Sequence, residues 1–162
     1  MSKRQKKFYY FAYGSNMYEP RFFERCPKAR FVGTGVLWNY QLAERKYTDI
    51  DYKVNELVEG VVYEITESDM RTLDQAEGYP YTYRRYWVEI EMEDRTIHAI
   101  VYEMTPETKE MRHGIPFPDW YYKICKIGAK QHGIDFNIEQ TNDLWFIRRW
   151  NSRYSSVGVD RR

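Results

Sequence analysis

Two short segments of this chain combine residue types suited to binding an anion and moving a proton. In the first, Tyr13-Gly14-Ser15-Asn16 ends an aromatic run, KFYYFAY at 7–13. A strand that turns through glycine exposes successive backbone N–H groups, which can hold a carboxylate or a developing oxyanion. Gly14 also lets a ligand come close. In the second, Glu77 sits in LDQAEGYPYTYR at 73–84. A carboxyl at a helix C-terminus among tyrosines loses hydration and feels the negative end of the helix dipole, and both effects raise its pKa toward neutral pH. The residues alone leave plainer readings open. Tyr13 to Asn16 also suit an ordinary turn in which Ser15 and Asn16 bond the local backbone. Glu77 also suits a solvated surface position, and either Asp74 or Glu77, three apart on one helical face, suits the exposed place.

Other chemistries find little support. His98, His113 and His132 are scattered, and no HxxxH, HExxH or paired-cysteine spacing exists, so no metal and no cofactor is expected. Ser15 lacks a G-x-S-x-G setting and an evident histidine partner, Cys125 falls on an apolar helix face, and no glycine-rich phosphate loop is present. Nucleophilic catalysis is therefore not expected.

The elements that must position these residues follow from pattern. Residues 7–13 read as a buried strand, 18–25 as a short helix, and 30–43 as a strand bent at Gly33 or Gly35. The polar stretch 44–56 reads as a loop and 57–66 as a strand. Thr66, with Asp69 three residues on, marks a helix N-cap before 67–76, and Gly78 marks its end beside Glu77. Two strands, 84–92 and 96–104, form a hairpin through Glu93-Asp94-Arg95, with His98, Ile100 and Tyr102 on one face. Pro106, Pro116 and Pro118 bracket a loop. Asp119 opens a helix whose Tyr121, Ile124, Cys125 and Gly128 repeat at 3.6 residues up to Gly133, although this periodicity fits plain amphipathicity equally well. A last helix is expected over 136–149.

Length and composition bound the rest. A chain of 162 residues suits one domain, here placed at 8–150, with 1–7 and 151–162 as basic, mobile ends. Aromatics make up 18% of the chain and sixteen are tyrosines, which suits sheet and a polar-lined pocket. The overall charge of +1 divides unevenly: each end, 1–7 and 145–162, carries +4, which leaves the middle at −7. An acidic body argues against general nucleic-acid binding. Cys26 and Cys125 read as reduced thiols of a cytoplasmic protein. No run approaches a membrane span, and the apolar stretch Phe8 to Ala12 is too short for an export signal.

Taken in order, FAYGSNM, VEGVVYEI, LDQAEGYPYTYRR, AIVYEM and PDWYYKICKIGAK resemble the gamma-glutamylcyclotransferase family over roughly residues 8–133. The resemblance implies an α+β fold, a small mixed β-barrel flanked by helices. It also implies release of 5-oxoproline and a free amine or amino acid from a γ-glutamyl amide by attack of the substrate's own α-amine. Glu77 would be the acid/base. Tyr10, Phe11, Ala12, Tyr13, Gly14 and Ser15 match the binding loop, Tyr121 matches a substrate-contacting tyrosine, and Tyr13, Asn16 and Tyr102 would shape the pocket. A small γ-glutamyl compound is the implied partner, with a homodimer left open. The alternative is a binding or regulatory domain that keeps the pocket without turnover. Tyr79-Pro80-Tyr81 would form an aromatic wall suited to a bulky leaving group.

Overall fold

A computed structural model of the chain describes residues 5–138. Five strands close into a barrel: β1 (Lys7–Ala12), β2 (Arg30–Arg45), β3 (Tyr47–Thr66), β4 (Tyr83–Glu91) and β5 (Thr96–Met104), in the order β1-β3-β2-β4-β5. Neighbours run antiparallel except β1 and β5, whose parallel pairs Tyr9↔Ala99 and Tyr10↔Ile100 close the circle and make the barrel mixed. Four helices flank it: α1 (Glu19–Arg25), α2 (Glu67–Glu77), α3 (Pro106–Met111) and α4 (Asp119–Gln131). The fold is the α+β mixed barrel expected from the sequence.

Strand alternation sorts the apolar residues into two cores. Phe11, Leu37, Val58, Val62, Ile90, Ala99 and Val101 come only from strands and fill the barrel. Tyr10, Tyr63 and Tyr102 pack instead with Phe22 of α1, Leu73 of α2 and Tyr121 and Cys125 of α4. Ile100 and Tyr102 share this helix-facing side as expected, while His98 lies exposed beyond it beside Glu89. The Phe22 and Tyr63 rings stack at 3.8 Å between centroids, and each large aromatic buried here contributes about 1.5–3 kcal/mol of transfer free energy.

Local signals act where they were legible. The Thr66 hydroxyl accepts from the Asp69 N–H at 3.1 Å and the Asp69 carboxylate accepts from the Thr66 N–H at 3.0 Å, a reciprocal cap that starts α2. Gly78, at φ 69°, stops the helix in a left-handed conformation with its N–H bonded to the Asp74 and Gln75 carbonyls. The bend in β2 is a register shift between Phe31 and Gly33.

Two expectations are corrected. Residues 44–56 are not a loop: β2 and β3 continue as a paired arm from Tyr40↔Tyr52 to Arg45↔Tyr47, turning at Lys46 (φ 68°). The polar character of this stretch is satisfied by charge pairing. Asp49, fully buried, is gripped by Arg45 at 2.7 Å and Lys109 of α3 at 2.9 Å, and accepts from the Met104 N–H at 2.9 Å. Lys109 also reaches Asp51 at 2.6 Å and Glu103 at 2.9 Å. Burial alone would raise the Asp51 pKa, but hydrogen bonds and charge from Arg45 and Lys109 outweigh it and hold the carboxyl below its ordinary value. The second correction is α3 itself, six residues inside the expected proline-bracketed loop. Thr105 caps it by accepting from the Thr108 N–H at 3.3 Å, and Pro106 occupies its first turn.

The helix expected over 136–149 falls outside the described residues except for 136–138, which are not helical. The expected mobile end 151–162 lies wholly outside them, as do residues 1–4 of the other. No helix among the described residues is long and apolar enough to cross a membrane.

Two stability outcomes follow, both read by urea unfolding. Thr66→Ala should cost about 1 kcal/mol through loss of the cap. Asp49→Ala, which removes the buried carboxylate shared by Arg45 and Lys109 and leaves the Met104 N–H without its acceptor, should cost about 3–5 kcal/mol. Because the Asp51 pKa is depressed, its share of stability is present above the ordinary carboxylate range. It should be lost as the pH falls through the lowered value.

Candidate active site

β1 delivers the first half of the site. Its alternation turns Tyr10 and Ala12 toward the helices and Phe11, followed by Tyr13, into the barrel. Just past the strand, Ser15–Met17 coil into one 3-10 turn with all three residues buried. A turn cannot satisfy its own first N–H groups, so this one presents backbone donors beside Gly14. Two close approaches fix its position. A Cβ on Gly128 of α4 would stand 2.5 Å from the Tyr18 nitrogen and 2.7 Å from the Met17 carbonyl carbon, so α4 lies directly on the backbone there. The Tyr63 hydroxyl donates to the Asn16 carbonyl at 2.8 Å. The Asn16 side chain then bridges outward: Arg25 donates to its Oδ1 at 3.1 Å, and its Nδ2 donates to the Tyr10 hydroxyl at 3.0 Å.

α2 delivers the second half. Its last residue, Glu77, faces the same narrow cavity, about 350 Å³ of atom-free space partly open to solvent. The cavity brings together Glu77 with Tyr10, Phe11, Tyr13, Gly14, Ser15, Asn16 and Tyr121, and also with Tyr102. Ala12 is not part of its lining: it is buried in the helix-facing core. Gly14 has little room for any side chain, since a Cβ would lie 3.0 Å from the Tyr121 hydroxyl and 3.1 Å from Thr48.

Burial raises the Glu77 carboxyl from its ordinary 4.5 to about 7, even though Arg25, Arg21 and Arg112 pull the other way. Desolvation thus outweighs three guanidinium charges, and the group is poised to gain or lose a proton near neutral pH. Burial likewise pushes the Tyr10 and Tyr121 hydroxyls far up, so both stay protonated and keep a hydrogen to donate. The arrangement sets one titrating carboxyl against a wall of neutral hydroxyls and backbone amides. That combination can shuttle a proton and hold a polar, partly charged ligand.

Two cavity residues escaped the sequence reading. Thr48 lies on the arm read as a loop, where its N–H donates to the Tyr121 hydroxyl at 3.1 Å and its own hydroxyl sits 3.0 Å from the same oxygen. Tyr83 opens β4 and donates to the Thr48 carbonyl at 2.9 Å. No local pattern marked Thr48, because TDI at 48–50 does not alternate and all three residues are buried. The aromatic wall expected from Tyr79 and Tyr81 is not found at the cavity. Tyr81 is 85% exposed, and the Tyr79 ring lies under the Arg85 guanidinium at 4.3 Å. Among the described residues, no group of three or more His, Cys, Asp or Glu gathers in a way that could hold a metal.

Comparison with known proteins places the chain in a family. A family profile described as "Gamma-glutamyl cyclotransferase, AIG2-like" matches residues 10–122. A Bos taurus protein named gamma-glutamylcyclotransferase is 27% identical over 156 residues, covering 86% of this chain and 79% of its own length. The Homo sapiens protein of that name is 28% identical over 153 residues, covering 84% and 77%. Among solved structures, one titled gamma-glutamyl cyclotransferase superposes with a TM-score of 0.68 at 24% identity, covering 96% of this chain and 93% of that one. An AIG2-like protein from Mus musculus gives 0.55 at 20% identity, covering 84% and 99%. The structural likenesses speak to the fold, whereas the profile spans well over half of the chain and takes in both the Tyr13 to Asn16 turn and Glu77. This protein belongs to the gamma-glutamyl cyclotransferase, AIG2-like family.

Proposed function

We propose that this protein is a cyclotransferase that releases 5-oxoproline and a free amine or amino acid from a γ-glutamyl amide. The observation that carries the reading is Glu77, a carboxyl raised to about 7 that lines one narrow cavity together with the backbone turn at Gly14. In the reaction, Glu77 takes a proton from the substrate's α-ammonium. The freed amine attacks the γ-carbonyl carbon of the same molecule, forming the ring C–N bond and a tetrahedral oxyanion. Glu77 returns its proton to the departing nitrogen as the original C–N bond breaks, and the same carboxylate then takes the second proton from the ring nitrogen and passes it to the released amine, which leaves as an ammonium. Both protons the amine gains come from the substrate's own α-ammonium, so the count closes with no other reactant.

Nucleophile and electrophile belong to one molecule, so folding the substrate so that they meet supplies an effective molarity of about 10⁵ M or more. The chain's tasks reduce to holding the glutamyl group, relaying protons between the two nitrogens and stabilising the oxyanion. The N–H groups of Gly14 and Ser15 suit the glutamyl carboxylate or the oxyanion, the latter being worth about 3–4 kcal/mol per donor in comparable sites. Tyr121, fixed by Thr48, adds a protonated hydroxyl to the same wall.

A substrate panel of γ-glutamyl amino acids, γ-glutamyl amines and glutathione, assayed for 5-oxoproline, tests the reading. Glu77→Gln should lower kcat by about 10²- to 10⁴-fold, and wild-type kcat/KM should rise with pH through about 7 as Glu77 deprotonates. Release of 5-oxoproline by the variant at the wild-type rate would refute the assignment of Glu77.

The same raised pKa has a thermodynamic sign. Between pH 4.5 and about 7 the folded state holds a proton that the unfolded state has lost, so stability falls as the pH rises across that window. Glu77→Gln should therefore melt at about the same temperature as wild type at pH 4 and at a higher temperature at pH 8. Equal melting temperatures at both pH values would show that the carboxyl is not desolvated.

A further inference from the structure

The hydroxyls of Tyr10 and Tyr102 stand in one cavity with their rings edge to face at 6.0 Å, yet their hydrogen bonds run in opposite senses. The Tyr102 hydroxyl donates to the Asp74 carboxylate at 2.6 Å. Asp74 is in turn held by the Arg85 fork, Nε at 2.8 Å and Nη2 at 3.1 Å. An ionised carboxylate can only accept, so the Tyr102 proton is spent on Asp74 and what remains toward the cavity is lone pair. Tyr10 is the reverse. Arg25 can only donate, which makes the Asn16 atom it touches the oxygen and turns the Asn16 NH₂ group onto the Tyr10 hydroxyl. With its oxygen already accepting, Tyr10 has its proton left for a ligand.

We propose that Tyr102 receives the substrate's α-ammonium on its hydroxyl lone pair while Tyr10 donates to an anionic oxygen, with Asp74 and Arg85 as positioning residues that fix the direction of the Tyr102 proton. The inference rests on the γ-glutamyl reading above and adds to it which wall of the cavity takes the cation. Asp74 is three residues before Glu77 on α2, so the helix that carries the proton acceptor also sets the polarity of the tyrosine opposite. An ammonium held on Tyr102 lies in the cavity that Glu77 also lines, next to the base that must deprotonate it. The Tyr79 ring beneath the Arg85 guanidinium at 4.3 Å covers the far side of the ion pair.

The test compares two ligands, γ-glutamyl-alanine and glutaryl-alanine, which differ only by the α-amine. Binding is measured by calorimetry on the full chain in the Glu77→Gln background, so that turnover does not interfere. The parent should prefer γ-glutamyl-alanine by about 10- to 100-fold, the size of one hydrogen bond to a charged group. Asp74→Ala removes the acceptor that holds the Tyr102 proton and so frees that proton to turn toward the cavity. It should bring the preference close to one while glutaryl-alanine binds within about twofold of the parent, given that its contacts on this wall are only apolar. Tyr102→Phe, which keeps the ring and removes the acceptor, should do the same and serves if the Asp74→Ala variant fails to fold. An unchanged preference, or equal loss for both ligands as a purely structural role would give, overturns the inference while leaving the proposed reaction intact. No binding of either ligand to the parent would remove the γ-glutamyl reading and this inference with it.

Discussion

The site depends on one constraint: a carboxyl must be largely desolvated without an ion pair close enough to fix its charge. Water would return Glu77 to its ordinary pKa, and a tight guanidinium contact would drive it lower. The fold meets both demands. Gly78 ends α2 immediately after Glu77, so the chain turns away, and the strand-end turn of β1, the arm of β2 and β3, and α4 close around the carboxyl. Arg21, Arg25 and Arg112 are near enough to moderate the shift but not to reverse it. Arg25 is occupied by Asn16, and Arg112 lies over the Tyr47 ring at 5.5 Å.

Keeping that cavity narrow requires scaffolding beyond it. The ion cluster of Asp49, Arg45 and Lys109 ties the arm to α3, and its neighbour Thr48 is thereby set against Tyr121 and Tyr83. On the opposite side, Gly128 seats α4 on the backbone of the 3-10 turn. Charged clusters of this kind contribute little net stability compared with apolar packing of the same volume, but removing one member is costly. Here the cluster fixes where the arm lies, and so where a cavity residue lies.

Much of this was legible in the sequence where a local rule suffices. The reciprocal Thr66 and Asp69 cap, the stop at Gly78, the aromatic strand ending at Tyr13 and the helix from Asp119 each depend on residues within a turn of one another. What was not legible depends on distant partners. The 44–56 stretch reads as a loop because it is charged, and it becomes strand because Lys109, some sixty residues on, neutralises it. Thr48 entered the site unseen for the same reason. Tyr79 and Tyr81 failed in the other direction: proximity to Glu77 in sequence suggested a wall, but the left-handed turn at Gly78 sends them outward to Arg85 and solvent. Tyr10 to Asn16, by contrast, reached the cavity with Ala12 as the one exception: it shares the helix-facing side with Tyr10, but its side chain ends at a methyl buried in that core, whereas the longer Tyr10 lines the cavity.

The most direct test of the account is an NMR titration of the Glu77 side-chain carboxyl carbon, assigned by its absence in Glu77→Gln. A midpoint near 7 is the predicted result and would establish a buried, neutral-pH proton acceptor at the cavity. A midpoint near 4.5 would mean that Glu77 is hydrated or ion-paired in solution, and would contradict the desolvated site on which the proposed reaction depends.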